Sequence, residues 1–132
     1  MHMPPLFRDR PRAFQIIVGG VVPLAFGAVV GVVLGISAGA YWGLAGLAAL
    51  GGVLAGFEHR DGWGGADRGL VGGALFGTGV LVAHAIAGTH AKAKLPEPHV
   101  VLPIATTIIS IGLGAIGGAL RGRRLRRTEA PA

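Results

Sequence analysis

Cysteine is absent from this 132-residue chain, aromatic residues make up only 6% of it, and charged residues only 14%. The absence of cysteine excludes disulfide bonds, catalytic thiols and thiolate metal sites. The charged fraction is well below the roughly one quarter that is typical of soluble domains. Because glycine contributes 25 residues and bulky side chains are few, the apolar content is mostly small and aliphatic. Such a composition favours close contact between helix backbones.

Long segments without any charge are the dominant pattern of the sequence. The first covers residues 13–57, and at about 1.5 Å per helical residue it is roughly twice as long as the ~30 Å core of a bilayer is thick. It must therefore cross twice, whereas the segments 69–91 and 98–120 are each long enough for one crossing. We therefore predict an all-α polytopic membrane protein with four transmembrane helices arranged in two hairpins.

The four helices are predicted at about residues 13–36, 40–57, 67–90 and 100–120. They form one transmembrane domain, residues 13–120, between an N-terminal segment of residues 1–12 and a basic tail of residues 121–132. A cleaved signal peptide is the alternative for the first helix, because Ala38-Gly39-Ala40 has the small side chains of a cleavage site. The apolar stretch 13–36 is longer than the ~7–15 residues of a signal sequence, which favours a helix.

The basic residues are distributed very unevenly around these helices. Ten of the 12 precede the first helix, lie between the second and third, or follow the fourth, and only Lys92 and Lys94 lie in the remaining loop. By the positive-inside rule, both termini and the loop 58–68 face the cytoplasm. We expect a location in the plasma membrane, and the high content of glycine, alanine and arginine is typical of a bacterium with a GC-rich genome.

The arginines have two conceivable polyanionic partners. A nucleic acid would require aromatic or polar base-reading groups among them, and the sequence has none there, so we predict no nucleic-acid binding. Anionic lipid is the expected partner of the tail, through Arg121, Arg123, Arg124, Arg126 and Arg127.

Glycines recur every four residues in three parts of the chain. At this spacing they lie on one helix face and leave a groove without side chains, into which a neighbouring backbone can pack. In lipid such a fit matters because helices gain nothing by hiding leucine from lipid tails. We predict packing of the glycine-zipper type, within one bundle or between the protomers of a homo-oligomer, at Gly27, Gly31, Gly35, Gly39 and Gly43, at Gly69, Gly73 and Gly77, and at Gly114 and Gly118.

Two parts of the chain are similar to each other. Residues 47–56 match residues 113–122 at an offset of 66, which is half the length of the chain. Duplication of a helical hairpin, as in transporters with parallel repeats, is one explanation. Chance similarity between segments rich in glycine, alanine and leucine is the other.

Polar side chains are rare at membrane depth, where each is costly unless it has a partner. We single out His84, Thr106 and Ser110 as a candidate intramembrane polar site. His84 is either a buried neutral histidine bonded to a hydroxyl or carbonyl, or a proton-linked group in an ion pathway, since histidine titrates near neutrality. The hydroxyls of Thr106 and Ser110 are expected to bond a carbonyl one turn back or a neighbouring helix.

Signals of an enzyme, a metal or a cofactor are missing. The loop 88–100 contains His90, Glu97 and His99, but their spacing fits no metal motif and two nearby lysines disfavour a cation. The charged loop 58–69 lacks the pocket and orienting group that acid–base catalysis requires. We predict no catalytic residues, no metal and no cofactor.

The expected function is therefore non-catalytic: a packing, accessory or assembly subunit that forms a homo-oligomer or binds another membrane protein. One alternative is an oligomeric ion channel or small-solute transporter; small multidrug transporters are excluded because no span contains their embedded glutamate. A holin-like pore former is a further alternative, since phage holins share small glycine-rich helices and a basic tail. A wetted path past His84, Thr106 and Ser110 would favour transport, and a dry interior an accessory role.

Overall fold

The computed structural model describes residues 4–95, 97 and 99–129, and within these residues the regular structure is entirely helical. Four long helices follow a short 3-10 turn at Phe7–Asp9: α1 (Arg12–Leu34), α2 (Ala38–Gly56), α3 (Gly62–Ala87) and α4 (Val101–Glu129). Each is long and apolar enough to cross a membrane, which confirms the all-helical fold and the four candidate spans. The first three residues of the predicted N-terminal segment and the last three of the tail lie outside the described residues.

The helix ends differ from the predicted bounds for local reasons. The α2 helix begins after Ser37, whose Oγ accepts a hydrogen bond from the Ala40 N–H at 3.2 Å. The α3 helix begins at Gly62 rather than near residue 67, because Asp61 caps it: the Asp61 Oδ1 accepts from the Gly64 N–H at 2.8 Å. It ends at Ala87, and the next residue, Gly88, has a left-handed φ of 65° that suits glycine.

An irregular turn interrupts α1 near its start. Residues Ile17–Val21 form a π-helical segment that ends just before Val22 and Pro23. Proline has no N–H, so the carbonyl of Gly19, four residues earlier, loses its α-helical donor. In the π turn the Val22 N–H donates to the Ile17 carbonyl, five residues earlier, and the Val18 carbonyl accepts from Arg68 instead. Consequently α1 is irregular only in its first half.

The α3 helix is the centre of the bundle. It packs most extensively against α4 and next against α1, on two different faces. The α2 helix packs mainly against α4, with smaller contacts to α3 and α1. The largest contacts of the first two helices are therefore with the last two, and α1 and α2 are only weakly paired although they are consecutive in the chain.

Few large side chains fill the interior. Among the described residues, only Val30, Leu34 and Val80 are large and fully buried. Large apolar residues instead cover the outside of the bundle: Ile86, for example, is 81% exposed. Such a surface would be unfavourable in water but is well solvated by lipid tails. The distribution of side chains thus agrees with the length and apolar character of the helices.

Three contacts place the charged segments at the same end of the bundle. The N–H of Phe7 donates to the Glu58 carbonyl at 2.9 Å, and Arg10 Nη2 lies 3.5 Å from Glu58 Oε1. On α4, Arg121 Nη1 donates to the Phe57 carbonyl at 3.1 Å. We call this the basic end, defined by residues 4–12, 57–68 and 121–129. At the opposite end, the loop after α3 folds back over α1, where the Lys92 N–H donates to the Leu34 carbonyl at 2.8 Å.

Candidate functional site

The interface between α3 and α4 is formed by glycines on both helices. Gly65, Gly69, Gly73 and Gly77 are all buried on one face of α3, and Gly114 is buried on α4. A Cβ atom added at Gly69 would overlap the backbone carbonyl of Ser110, and one added at Gly114 would overlap the carbonyl of Gly65. The backbones are therefore in direct contact, and no larger side chain fits between them.

The α1 helix uses two of its glycines against a second face of α3. A Cβ atom at Gly27 would overlap the Phe76 carbonyl, and one at Gly31 the Val80 carbonyl. The reciprocal contact is made by Gly79 of α3, where a Cβ atom would lie 2.6 Å from the Leu24 carbonyl oxygen. The four-residue spacing does not predict Gly79, although a glycine two residues after Gly77 marks the opposite face of the same helix.

The glycines that join α2 to α4 were not predicted from the sequence either. A Cβ atom at Gly56 would overlap the Gly114 carbonyl, and one at Gly117 the Val53 carbonyl. Gly118, which was predicted, lies against the Asp61 carbonyl. Neither Gly56 nor Gly117 belongs to the predicted four-residue series. Gly56 follows the pair Gly51-Gly52, and Gly117 begins the pair Gly117-Gly118, so adjacent glycines could have indicated both positions.

The first predicted glycine series is divided by the turn between α1 and α2. Gly35 follows α1 and lies against the Thr89 side chain. Gly39 and Gly43 belong to α2, so they do not continue the face of Gly27 and Gly31. No described atom outside its own turn lies within 4 Å of a Cβ atom built at Gly43. The structure therefore brings part of this series into contact and leaves the rest exposed.

The predicted polar residues fall into two groups. Thr106 Oγ1 donates to the Gly73 carbonyl at 2.9 Å, with the Pro103 carbonyl at 3.0 Å, and the Ser110 side chain lies beside Gly73. Both hydroxyl residues thus belong to the α3–α4 interface. His84 is half-buried, and its Nδ1 is buried without a hydrogen-bond partner in the described part of the chain. Within that part, no hydrogen bond joins His84 to either hydroxyl.

Comparisons with known proteins provide no functional assignment, so any assignment depends on the structural features above. The chain matches no protein-family model, no curated protein and no solved structure. Nor do the described residues contain a group of three or more histidine, aspartate or glutamate side chains arranged to hold a metal ion. In the loop before α4, His99 Nε2 and Glu97 Oε1 are 3.9 Å apart and both side chains are largely exposed.

The tail arginines are not equivalent. Arg121 is only 6% exposed, donates to the Phe57 carbonyl and has its guanidinium carbon 5.8 Å from the centre of the Phe57 ring. Arg123, Arg124, Arg126 and Arg127 are exposed on the same helix. Arg121 therefore connects α4 to the end of α2, and only the other four arginines are positioned to meet a surface outside the protein.

Replacing Arg121 by alanine is expected to lower the free energy of unfolding by about 2 kcal/mol, because a charge-assisted hydrogen bond and the contact with Phe57 are lost together. Arg123→Ala is the matched control and should change stability by less than about 0.5 kcal/mol, since its side chain is exposed. Both are measured by equilibrium unfolding in mixed micelles of increasing SDS content. Equal effects of the two substitutions would contradict the assignment.

Proposed function

We propose that the protein is a non-catalytic, multi-pass subunit of the plasma membrane that assembles with copies of itself through α2. The observation that carries this proposal is the unequal use of glycine. Glycines of α1, α3 and α4 lie directly against neighbouring backbones, and we interpret these contacts as packing of the glycine-zipper type. By contrast, α2 buries only Tyr41 and Gly56.

The exposed part of α2 has the composition of a helix interface. Gly39, Gly43 and Gly46 are all exposed and lie at spacings of four and three residues, so they share one face. We call them the α2 glycine face. Among described atoms, a Cβ built at Gly43 or Gly46 has nothing within 4 Å outside its own turn, and one at Gly39 meets only the Ser37 hydroxyl at 3.8 Å. A second helix could approach this face as closely as α3 approaches α4.

A second copy of the chain is the partner that this face fits best. Two identical glycine faces related by a twofold axis are self-complementary, which is the commonest arrangement of homo-oligomers. No charged residue lies on α2 to specify a different partner. Leu47, Leu50 and Leu54 are exposed further along the helix and would fill the space where the two backbones diverge.

Orientation follows from the distribution of basic residues. The basic end contains ten of the 12 lysines and arginines, and the positive-inside rule therefore places both termini and the α2–α3 loop in the cytoplasm. The contacts of Glu58 with Phe7 and Arg10 support this arrangement because they bring the N-terminal segment to the same loop.

Transport by a single copy has less support than assembly. Thr106 and Ser110 lie in the α3–α4 interface, where the carbonyls of α4 occupy the space in front of Gly69 and Gly73. That close contact leaves little space between α3 and α4 at the two hydroxyls, so we propose that a water path past His84 would form between copies. A channel or holin-like pore is therefore an alternative at the level of the oligomer.

Leucine at Gly43 is expected to dissociate the oligomer without unfolding the chain, because the new side chain would meet open space within one copy and the partner helix in the oligomer. Gly112→Leu is the matched control: it makes the same change on α4, also in front of open space among the described atoms. Native mass spectrometry in mild detergent and stepwise photobleaching in bilayers give the number of copies. We expect the dissociation constant to rise at least about tenfold, equivalent to ~1.4 kcal/mol, for Gly43→Leu only.

Three results would contradict self-assembly through α2. They are a monomeric wild-type protein at all protein-to-lipid ratios, equal effects of the two leucines, and an assembly that contains a different protein in place of a second copy. Ion flux through proteoliposomes that increases with the number of copies would instead favour the pore alternative.

A further inference from the structure

We propose that a groove between α1 and the first turns of α3 binds one anionic phospholipid, with the phosphate near Arg10, Arg12 and Arg68. The groove lies at the basic end and has a volume of about 1050 Å³. This is slightly larger than the ~300–1,000 Å³ of typical small-molecule sites. The proposal depends on the membrane location but not on assembly through α2.

The groove exists because α1 and α3 separate toward the basic end. At Gly27 and Gly31 the two helices are in backbone contact, whereas no described atom beyond the helix itself lies within 4 Å of a Cβ built at Gly20. Gly20 lies within the π segment Ile17–Val21, and π turns are places where helices commonly bend. One side of the resulting space is closed by the Phe7 ring, whose Cζ would lie 3.0 Å from a Cβ atom on Gly19.

The walls of the groove are apolar where they continue into the bundle. Ile16, Gly19 and Gly20 of α1 and Val71 of α3 line this part. Ile16 and Val71 are largely exposed, at 58% and 51%. A hydrocarbon chain therefore has an apolar surface to lie against, directly below the charged groups.

Arginine side chains surround the mouth of the same groove. Arg68 Nη2 donates to the Val18 carbonyl at 3.0 Å, within the π segment, and this bond holds its guanidinium across the gap between the helices. Arg10 lies 3.5 Å from Glu58 and 4.5 Å from the Phe14 ring centre. Arg12 also lines the groove and is exposed.

Two of these arginines have donors without acceptors. The Nε atoms of Arg10 and Arg68 are both buried and have no hydrogen-bond partner among the described residues. A buried guanidinium N–H without a partner is costly, and phosphate and carboxylate oxygens are the acceptors whose geometry suits a guanidinium. Asp67 and His59 also line the groove, and Glu58 is paired with Arg10, so the three arginines still exceed the nearby carboxylates. Positive charge at the mouth and an apolar wall beneath it match an anionic phospholipid and neither a free phosphate nor a zwitterionic lipid.

The test is native mass spectrometry of delipidated protein titrated with phosphatidylglycerol or, as a zwitterionic probe, phosphatidylcholine. We expect one phosphatidylglycerol per chain at concentrations where phosphatidylcholine does not bind. Arg12→Gln should weaken this adduct about fivefold, whereas Arg12→Lys should retain most of the affinity. Gly20→Leu should abolish it with all charges intact, because its side chain would occupy the apolar wall of the groove. Inorganic phosphate at millimolar concentration should not displace the lipid.

The control is a quadruple variant with glutamine at Arg123, Arg124, Arg126 and Arg127, which is expected to retain the adduct. Loss of the lipid in this variant, with retention in Arg12→Gln and Gly20→Leu, would overturn the proposal in favour of the tail. Equal binding of both lipids would overturn it as well. Adducts are counted separately on monomer and oligomer peaks, so a failure of lipid binding is distinguishable from a failure of assembly.

Discussion

Leucine in place of Gly69 is expected to destabilise the bundle by more than about 3 kcal/mol, at or beyond the upper end of overpacking effects. The reason is the position of the backbone of α4: even the first side-chain carbon at Gly69 would overlap the Ser110 carbonyl. A flexible side chain could rotate away, but a helix backbone can only move as a whole. The α3–α4 interface would therefore have to separate along most of its length, with loss of van der Waals contact at Gly65 and Gly73 too.

The measurement is equilibrium unfolding in mixed micelles of increasing SDS content, followed by helical circular dichroism. Gly112→Leu is again the matched control, since it adds the same side chain to an exposed position of α4 and is expected to change stability by less than about 0.5 kcal/mol. Gly69→Ala should be destabilising as well, because its Cβ atom alone produces the overlap. If Gly69→Leu unfolded at the same SDS fraction as Gly112→Leu, the backbone contact between α3 and α4 would be disproved.

Single cysteines placed at the two ends of the bundle should give opposite labelling patterns in intact cells. Because the chain contains no cysteine, His90→Cys and Thr128→Cys each provide one unique thiol, and both positions are exposed. A membrane-impermeant maleimide added outside is expected to label His90→Cys nearly completely. Thr128→Cys should be labelled only after the membrane is permeabilised if the basic end faces the cytoplasm, as we propose from the positive-inside rule.

Both thiols must react fully in detergent, which controls for local accessibility. The reverse pattern would place the basic end outside, and partial labelling at both sites would indicate two orientations in one population. Either outcome would contradict the orientation derived from the positive-inside rule. Equal labelling rates at both sites in intact cells would also show that no membrane separates the two thiols.

The number and type of the long helices could be predicted because absence of charge over a sufficient length is a direct physical requirement for crossing a bilayer. The positions of the helix ends were harder to predict. The α3 helix begins earlier than predicted because Asp61 caps it, and α4 continues to Glu129 because arginine is a good helix former even outside the apolar core. A charged residue marks the point where a helix leaves the bilayer, but the helix itself can continue beyond that point.

The spacing of the glycines does not indicate which helix lies against them. Four-residue spacing identifies a face, yet Gly27 faces α3 while Gly43, in the same numerical series, lies beyond a turn on α2. Whether a face is occupied depends on how the helices are arranged, which no local pattern encodes. The groove at Arg68 was missed for the same reason, since it requires the π segment of α1 and the return of Phe7 to the bundle.

The scarcity of large buried side chains affects how readily distant relatives of this chain could be recognised. Only Val30, Leu34 and Val80 are fully buried large residues within the described structure, while many isoleucines, leucines and valines face outward. Positions that face lipid tolerate exchange among aliphatic residues. Most positions of such a sequence can therefore be substituted during evolution without loss of the fold. What selection on the fold can retain is a sparse set of glycines at fixed intervals. Homologues should therefore be sought by the register of those glycines rather than by overall identity.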